Sequence, residues 1–234
     1  MHQYYKIAGL IVKMETFGRT ANLALPYRIK DCECEDLVLE NDYTLLKGAY
    51  PESLDDSCEY IIKGNEFSHK LVDFGGMILH ASAVVMDGRA YLFTADSGVG
   101  KSTHTSLWRQ VFGDERVRIL NDDKPALRFE KDCWYAYGTP WSGKYGQSLN
   151  LRYPVGGICF LQQAAENKID RYTKSDLIFR LMKQTHRTNQ GAYDGKVLGH
   201  IENLINHVPI WHMKCNMEPE AALLSHQMMS EVAE

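Results

Sequence analysis

Apolar and polar residues alternate along several short segments of this chain, and between these segments apolar residues recur at helical spacing. The alternation along residues 4–16 and the apolar segment 89–95 predict β-strands. Helical spacing predicts helices over residues 103–113 and 173–186, the second with Thr173 as its N-cap. Because strands and helices interleave along the chain, the pattern predicts an α/β fold with an antiparallel component.

The pattern changes near residue 65. Residues 1–65 carry short apolar pieces between acidic and turn residues, which predicts a small β-rich region without recognisable chemistry. Residues 66–234 begin with a predicted helix over 66–76, followed by two strands joined by an Asp87-Gly88 turn. Further predicted elements are a hairpin about residues 130–132, strands over 117–120, 155–161 and 208–215, and helices over 196–206 and 218–232. We therefore predict two parts, of which the second holds the chemistry.

The composition is that of an ordinary globular protein, with 44% hydrophobic residues, 24% charged residues and a net charge of −4. Lysine and arginine are scattered, which argues against an extended nucleic-acid-binding surface. No apolar run approaches the roughly 18 residues that a membrane span needs. The N-terminus also lacks the layout of a signal peptide. We therefore expect a cytoplasmic protein that binds neither membrane nor nucleic acid.

Residues 95–102, Ala-Asp-Ser-Gly-Val-Gly-Lys-Ser, match the phosphate-binding pattern G-x-x-x-x-G-K-[ST] except that alanine replaces the first glycine. Gly98 and Gly100 let backbone N–H groups turn toward phosphate oxygens. Lys101 brings a positive charge to the β and γ phosphates, and Ser102 offers a hydroxyl to Mg²⁺. The segment lies between a predicted strand and a predicted helix, whose dipole favours the same anion, so we predict a P-loop. The predicted nucleotide-binding residues are Asp96, Ser97, Gly98, Val99, Gly100, Lys101, Ser102 and Thr103.

Two carboxylates, Asp122 and Asp123, follow the predicted strand over residues 117–120. Ligands of α/β sheets gather at the carboxyl ends of strands, and acids beside a triphosphate hold Mg²⁺ or accept a proton from a hydroxyl. The pair is also consistent with an Asx turn that simply ends the strand. We favour the functional interpretation because Mg²⁺-dependent transfer needs such acids. His80 begins an earlier predicted strand, and a lone histidine is more often structural than catalytic.

Three segments together resemble the HPr kinase/phosphorylase group, P-loop enzymes related to ATP-dependent PEP carboxykinase. They are LHASAVVMDGRAYLFTADSGVGKSTHTSLW (79–108), LNDDKPALR (120–128) and, more loosely, YGTPWSGK (137–144). The resemblance implies a P-loop core like that of the C-terminal domain of HPr kinase, a mixed sheet flanked by helices, which uses ATP and Mg²⁺. Residues 1–65 do not resemble the regulatory domain of typical HPr kinases, so the resemblance is to small, stand-alone members.

The resemblance also implies roles for individual residues. The group has a histidine one hairpin before the P-loop and an Asp-Asp pair on the next strand, which His80, Asp122 and Asp123 match. It implies that His80 influences proton transfer, that one acid is the general base, and that the other helps Ser102 to hold Mg²⁺. The assignment of the two acids between these roles stays open, and Lys101 completes the predicted catalytic set.

Several positions depart from the group or have two interpretations. Asn150 stands where the group has an acid that serves the metal, and Arg187 is a weak match to an arginine on a later mobile loop. Lys124 and Lys144 either contact phosphate or lie on the solvated surface. Residues 139–143 either cover the bound ligands or form a packed turn.

We expect a phosphotransferase that uses ATP, or another polyphosphate, to phosphorylate a serine or other hydroxyl on a peptide, protein or small molecule. The alternatives are a nucleotide-gated ATPase module without an acceptor and a carboxykinase-like enzyme acting on an oxo acid. The choice between ATP and pyrophosphate as donor and the formation of a homo-oligomer stay open at this point.

Overall fold

The computed structural model describes residues 3–30, 32, 34–40, 47–48, 51–52, 55–172, 174–185 and 191–231. Within these ranges the chain forms a mixed α/β fold that contains two β-sheets and six α-helices. The smaller sheet comes from the N-terminal segment. The larger sheet carries the candidate site and is covered by helices.

The smaller sheet has four strands, β1 (Gln3–Ile7), β2 (Leu10–Met14), β3 (Arg28–Ile29) and β4 (Leu37–Leu39), and helix α1 (Gly18–Ala24) follows β2. The strands pair in the order β3-β1-β2-β4. The alternation along residues 4–16 is therefore a hairpin and not a single strand. Ala8 and Gly9 have left-handed backbone angles (φ 50° and 81°), which make the tight turn between β1 and β2.

Helix α2 (Asp55–Leu71) packs against the smaller sheet and extends across residue 65, where the sequence pattern changes. It begins well before the helix predicted over residues 66–76. Gly64 weakens the helical propensity of this segment, but a Cβ at residue 64 would lie 2.8 Å from Cδ1 of Trp141. The glycine lets the indole of Trp141 lie against the helix and stack on Phe67, with 4.9 Å between the ring centroids.

The larger sheet contains strands β5 (Gly76–Ile78), β6 (Ala81–Met86), β7 (Arg89–Thr94), β8 (Arg118–Asn121), β9 (Ala126–Glu130), β10 (Cys133–Tyr137), β11 (Arg152–Gln163), β12 (Lys168–Arg171) and β13 (Ile210–Cys215). The order is β5-β9-β10-β11-β7-β6-β8, and β13 and then β12 continue from the C-terminal half of β11. β11 is parallel to β7 and β13, whereas β6 is antiparallel to both β7 and β8. β7 and β8 therefore run in the same direction.

Four helices cover the two faces of this sheet: α3 (Lys101–Phe112), α4 (Lys174–Gln184), α5 (Gly191–His207) and α6 (Pro219–Ser230). Val84 and Met86 of β6 belong to the apolar cluster under α3 and α6. Ala81, Ala83 and Val85 of the same strand belong to the cluster under α4 and α5. Because successive side chains of a strand point to opposite faces and both faces are covered, every residue of β6 is buried.

Most predicted elements after residue 80 are present, with shifted ends. The Asp87-Gly88 turn joins β6 to β7 with left-handed angles at both residues, and residues 131–132 turn the hairpin of β9 and β10. Gly113 (φ 87°) ends α3. The predicted N-cap Thr173 lies outside the described residues. Among the helices of the described ranges, none combines the length and the apolar character that crossing a membrane requires.

The packing of α3 against α6 depends on one buried hydroxyl. Ser225 Oγ accepts a hydrogen bond from Trp108 Nε1 (2.8 Å), lies 2.9 Å from His104 Nε2 and donates to the Ala222 carbonyl oxygen (3.1 Å). Ser225→Ala leaves the two buried ring nitrogens without this partner. We therefore expect the free energy of unfolding, measured by urea titration, to fall by about 2–4 kcal/mol.

Ser230→Ala on the same helix is the matched control. Ser230 is half-buried, and its hydroxyl donates to the Gln227 carbonyl oxygen within α6. We expect this variant to lose less than about 1 kcal/mol. Equal losses in the two variants would show that the Ser225 hydroxyl has no special part in joining α3 to α6.

Candidate functional site

Three elements bring the predicted site residues to one edge of the larger sheet. β7 ends at Thr94, which pairs with Ala81 at the start of β6, and β8 ends at Asn121, which pairs with Ala83. The carboxyl ends of β7 and β8 therefore lie beside the amino end of β6. The loop after β7, the acid pair after β8 and His80 before β6 meet at this edge.

Residues 95–102, called here the candidate loop, join β7 to α3 through a turn that glycine makes easily. Gly98 (φ 80°) and Gly100 (φ 112°) both have left-handed backbone angles. α3 begins directly after Gly100, so the unpaired N–H groups of its first turn face the loop. Around this backbone, Asp96, Ser97 and Thr103 are exposed, and Val99 and Ser102 are half-buried.

Lys101 is folded back over the candidate loop. Its Nζ donates to the carbonyl oxygen of Ala95 at 3.0 Å and to that of Asp96 at 3.4 Å, and the residue is only 9% exposed. Burial lowers the pKa of Lys101, and the nearby carboxylates of Asp123, Asp96 and Asp122 oppose that shift. The ammonium group is thus held inside the loop by its two carbonyl partners.

Asp122 is turned toward α3. Ser82 Oγ donates to Asp122 Oδ1 at 2.6 Å, and Thr105 Oγ1 of α3 lies 2.9 Å from Ser82 Oγ. Ser82 and Thr105 are both buried, so the Ser82 hydroxyl, which Thr105 contacts in turn, holds the carboxylate in place. Asp122 and Ser102 line the same cavity, of about 330 Å³, and so face a common space.

Asp123 is turned the other way, toward His80, with 3.5 Å between Asp123 Oδ1 and His80 Nε2. Burial and the charge of Lys101 lower the pKa of His80, and Asp123 and a hydrogen bond to Gln184 oppose the shift. The two acids therefore have different surroundings. Asp122 shares a cavity with Ser102, and Asp123 lies beside His80.

The side chain of Asn121 makes the turn that separates Asp122 from Asp123. Its Oδ1 accepts hydrogen bonds from the backbone N–H groups of Asp123 (3.0 Å) and Lys124 (2.7 Å), and its Nδ2 donates to the Thr139 carbonyl oxygen at 2.9 Å. An Asx turn does end β8, but the asparagine makes it. Neither carboxylate is used by this turn, so the two interpretations of the segment are compatible.

A series of side-chain hydrogen bonds, called here the relay, connects His80 to the candidate loop. Lys183 Nζ donates to Asp96 Oδ2 (2.7 Å), and Gln184 Nε2 donates to Asp96 Oδ1 (3.1 Å). The hydrogen bond from Lys183 lowers the pKa of Asp96, so this carboxylate is ionised and only accepts. The Gln184 amide must therefore turn its nitrogen to Asp96 and its oxygen to His80 Nδ1, 3.1 Å away.

This relay fixes the tautomer of the neutral imidazole. Because the Gln184 oxygen can only accept, His80 Nδ1 carries the hydrogen and His80 Nε2 presents its lone pair toward Asp123. No spacing rule in the sequence indicates this. Lys183 and Gln184 come from the end of α4, far along the chain, and the predicted helix there carries no motif.

Gln184→Met should release His80 from a single tautomer. Methionine has a similar length but cannot donate to Asp96 or accept from Nδ1, so both ring nitrogens become competing sites for the hydrogen. We expect the ¹⁵N chemical shifts of the His80 ring at pH above its pKa to move from a single Nδ1–H pattern to averaged values. Gln163→Met, which changes a glutamine bonded to the Val99 carbonyl oxygen, is the control; unchanged shifts in Gln184→Met would contradict the relay.

The loop of residues 139–147 borders the site and is held by the N-terminal region. Tyr60 Oη accepts a hydrogen bond from Gly143 N at 3.1 Å, and Arg19 donates to the Gly143 carbonyl oxygen. The Arg19 guanidinium also lies over the Tyr60 ring, 4.4 Å from its centroid. Tyr145 of this loop, which is exposed, lines the same 330 Å³ cavity as Ser102 and Asp122.

Residues 139–143, Lys144 and Lys124 are the positions for which the sequence allows two interpretations. Trp141 is 1% exposed, so residues 139–143 form the packed turn and present no aromatic ring to a ligand. Lys144 is exposed and lies 5.7 Å from the Tyr145 ring centroid. Lys124 is half-buried, and its charge helps to lower the pKa of His80.

One position suggested by the resemblance, Asn150, lies in a different part of the structure. Asn150 is exposed, and its Nδ2 donates to the carbonyl oxygen of Pro26 in the N-terminal region. It lines a separate cavity with Lys6 and Arg152. Arg187 lies outside the described residues.

Comparison with known proteins gives one family. A model of the family described as "SynChlorMet cassette protein ScmC" matches residues 63–218, which include the candidate loop, the acid pair, His80 and Gln184. Among solved structures, the Hpr(Ser) kinase/phosphatase from Coxiella burnetii is similar with a TM-score of 0.35 and 14% identity, over 66% of this chain and 93% of that chain. A likeness at this level carries no argument about function. No curated protein matches the chain. Because the family model covers more than half of the sequence, the chain belongs to the ScmC family.

Proposed function

We propose that this protein is an ATP- and Mg²⁺-dependent phosphotransferase that phosphorylates a hydroxyl group, on a serine of a peptide or protein or on a small molecule. One observation carries the proposal. A glycine-containing loop with a buried lysine, two carboxylates with different partners and a histidine bonded to Gln184 meet at one sheet edge. Phosphoryl transfer needs a phosphate cradle, charge neutralisation and a proton acceptor, and these residue types supply them.

The candidate loop is suited to hold the phosphates. The backbone N–H groups around Gly98 and Gly100 and those of the first turn of α3 suit phosphate oxygens. Lys101 Nζ bonds to two neutral carbonyl oxygens. Exchanging these for charged phosphate oxygens is favourable, because hydrogen bonds between two charged groups are the stronger kind.

Asp122 and Ser102 are the residues that fit Mg²⁺. A carboxylate and a hydroxyl that face one cavity suit an ion which takes one or two protein oxygens and completes its shell with phosphate oxygens and water. An ion held by Asp122 and Ser102 would supply positive charge beside the phosphates. Ser82 then acts as a positioning residue, because its hydroxyl holds one oxygen of Asp122.

Asp123 and His80 are the residues that fit the proton of the acceptor. The Nε2 lone pair and the Asp123 carboxylate both accept, and they face each other across 3.5 Å. A hydroxyl beside them gives its proton to one of the two, and its oxygen forms a bond to the γ-phosphorus. The bond from that phosphorus to the β,γ-bridging oxygen breaks, ADP leaves, and the proton passes to solvent.

The proposal is tested by following the γ-phosphoryl group. The protein is incubated with Mg²⁺, γ-labelled ATP and one of three pools of compounds: serine-containing peptides, small hydroxylated molecules or oxo acids. We expect acceptor-dependent ADP release and label in a phosphoester, with Lys101→Met as the inactive reference. Label found only as inorganic phosphate in every pool would support the ATPase module. Consumption of an oxo acid would support the carboxykinase alternative. Absence of ATP binding would overturn the proposal.

A further inference from the structure

A cavity of about 410 Å³ opens on the side of the candidate loop away from the acids. The loop backbone at Gly98 and Gly100 forms one wall, and Thr103 and Leu107 of α3 form the second. The third wall comes from the residues that follow β11 and β13. These are Ala164, Cys215, Asn216 and Met217. A ligand held by the loop can therefore extend into this cavity without leaving the surface of the protein.

The lining of the cavity suits a flat, uncharged ring. The described residues that line it include no carboxylate, ammonium or guanidinium group. Burial lowers the pKa of His104, which also lines it, to about 4, so that this ring is neutral near pH 7. Met217 is 73% exposed, an unusual position for a large apolar side chain. A heteroaromatic ring packed against its thioether would cover it.

The direction of the ligand follows from the acids. Asp122, Asp123 and His80 lie where β8 and β6 reach the site edge, which places the reacting end of a polyphosphate on that side. The non-reacting end of the polyphosphate then points away from the acids, toward the cavity between α3 and the end of β13. A different cavity, of about 460 Å³, borders the loop near α4, but Asp96, Arg180 and Lys183 line it, and such groups suit ions.

We infer that the cavity between α3 and the end of β13 receives the base of the donor nucleotide. This rests on the proposed function and deepens it: the donor is a nucleoside triphosphate and not pyrophosphate, which would leave the cavity empty. The base contributes affinity by burying apolar area on Leu107, Val99 and Met217. The triphosphate contributes through the loop, so the two contributions can be changed separately.

The test compares ATP with inorganic tripolyphosphate, each with Mg²⁺, by titration calorimetry on the full chain. Ala164→Phe places a ring in the cavity, and we expect it to weaken ATP roughly tenfold or more while leaving tripolyphosphate unchanged. Ala165→Phe is the matched control, because Ala165 is the next residue but is exposed and outside the lining. It should change neither affinity.

A second variant tests the same cavity in case the larger side chain of Ala164→Phe distorts the fold. Met217→Ala shortens an exposed residue, and we expect it to weaken ATP about threefold through the lost sulfur–ring contact, again without effect on tripolyphosphate. Equal affinity of the unaltered protein for ATP and tripolyphosphate would overturn the inference. So would unchanged ATP affinity in both cavity variants. Failure of both ligands to bind the unaltered protein would instead overturn the proposed function.

Discussion

Lys101→Met should abolish phosphoryl transfer, lowering the rate by at least about 100-fold, and should weaken ATP and tripolyphosphate alike. The side chain is buried, and its ammonium group donates to the Ala95 carbonyl oxygen. Under the proposed function, it is the cation that meets the phosphates. Methionine keeps the length of the side chain and removes the charge. The measurement is acceptor-dependent ADP release together with calorimetric titration of both ligands.

Lys168→Met is the control for this prediction. Lys168 lies on β12, its side chain is 72% exposed, and it pairs with Asp170 on the surface. It should leave transfer and ligand affinity unchanged. Retained turnover in Lys101→Met, with an unfolding curve like that of the unaltered protein, would show that the loop does not act on phosphate.

Asp122→Asn and Asp123→Asn should each lower transfer by roughly 100-fold or more, but for different reasons. Asparagine in place of Asp122 weakens the site beside Ser102, so the Mg²⁺ concentration that gives half-maximal activity should rise. Asparagine in place of Asp123 removes the acceptor opposite His80, so the rate should fall with that Mg²⁺ concentration unchanged. Nucleotide affinity should survive largely in the Asp123 variant.

Asp132→Asn is the matched control, because Asp132 is an exposed residue of the β9–β10 turn and asparagine tolerates its left-handed angle (φ 62°). Activity near that of the unaltered protein in both acid variants would make the carboxylate roles wrong. A raised Mg²⁺ requirement in Asp123→Asn instead of Asp122→Asn would exchange the two assignments.

The sequence predicts those parts of the site whose structure depends on residues close together in the chain. Gly98 and Gly100 are needed where the backbone turns into α3, and alternation marks the strands before and after, so loop, strand and helix follow from one short segment. The strand ends then place the acid pair at the same edge. The α/β class and most elements after residue 80 were accessible for the same reason.

The parts that the sequence does not predict depend on residues distant in the chain. Gln184 orients His80 from the end of α4, and nothing in either segment indicates the other. Gly64 argues against a helix locally, yet α2 continues through it because Trp141 packs there. The two acids could not be told apart from their neighbours, since Ser82 and His80, which separate them, come from other segments.

Under the proposed function, two ScmC-family proteins that agree over residues 63–218 can differ in the acceptor that they prefer. Arg19 and Tyr60, which hold the backbone of Gly143 next to the cavity wall at Tyr145, come before the residues that the family model matches. Under the proposed function, a chimaera with a foreign N-terminal segment would keep its phosphate chemistry and change the shape of the entrance. Acceptor choice would then depend on residues that precede the matched stretch.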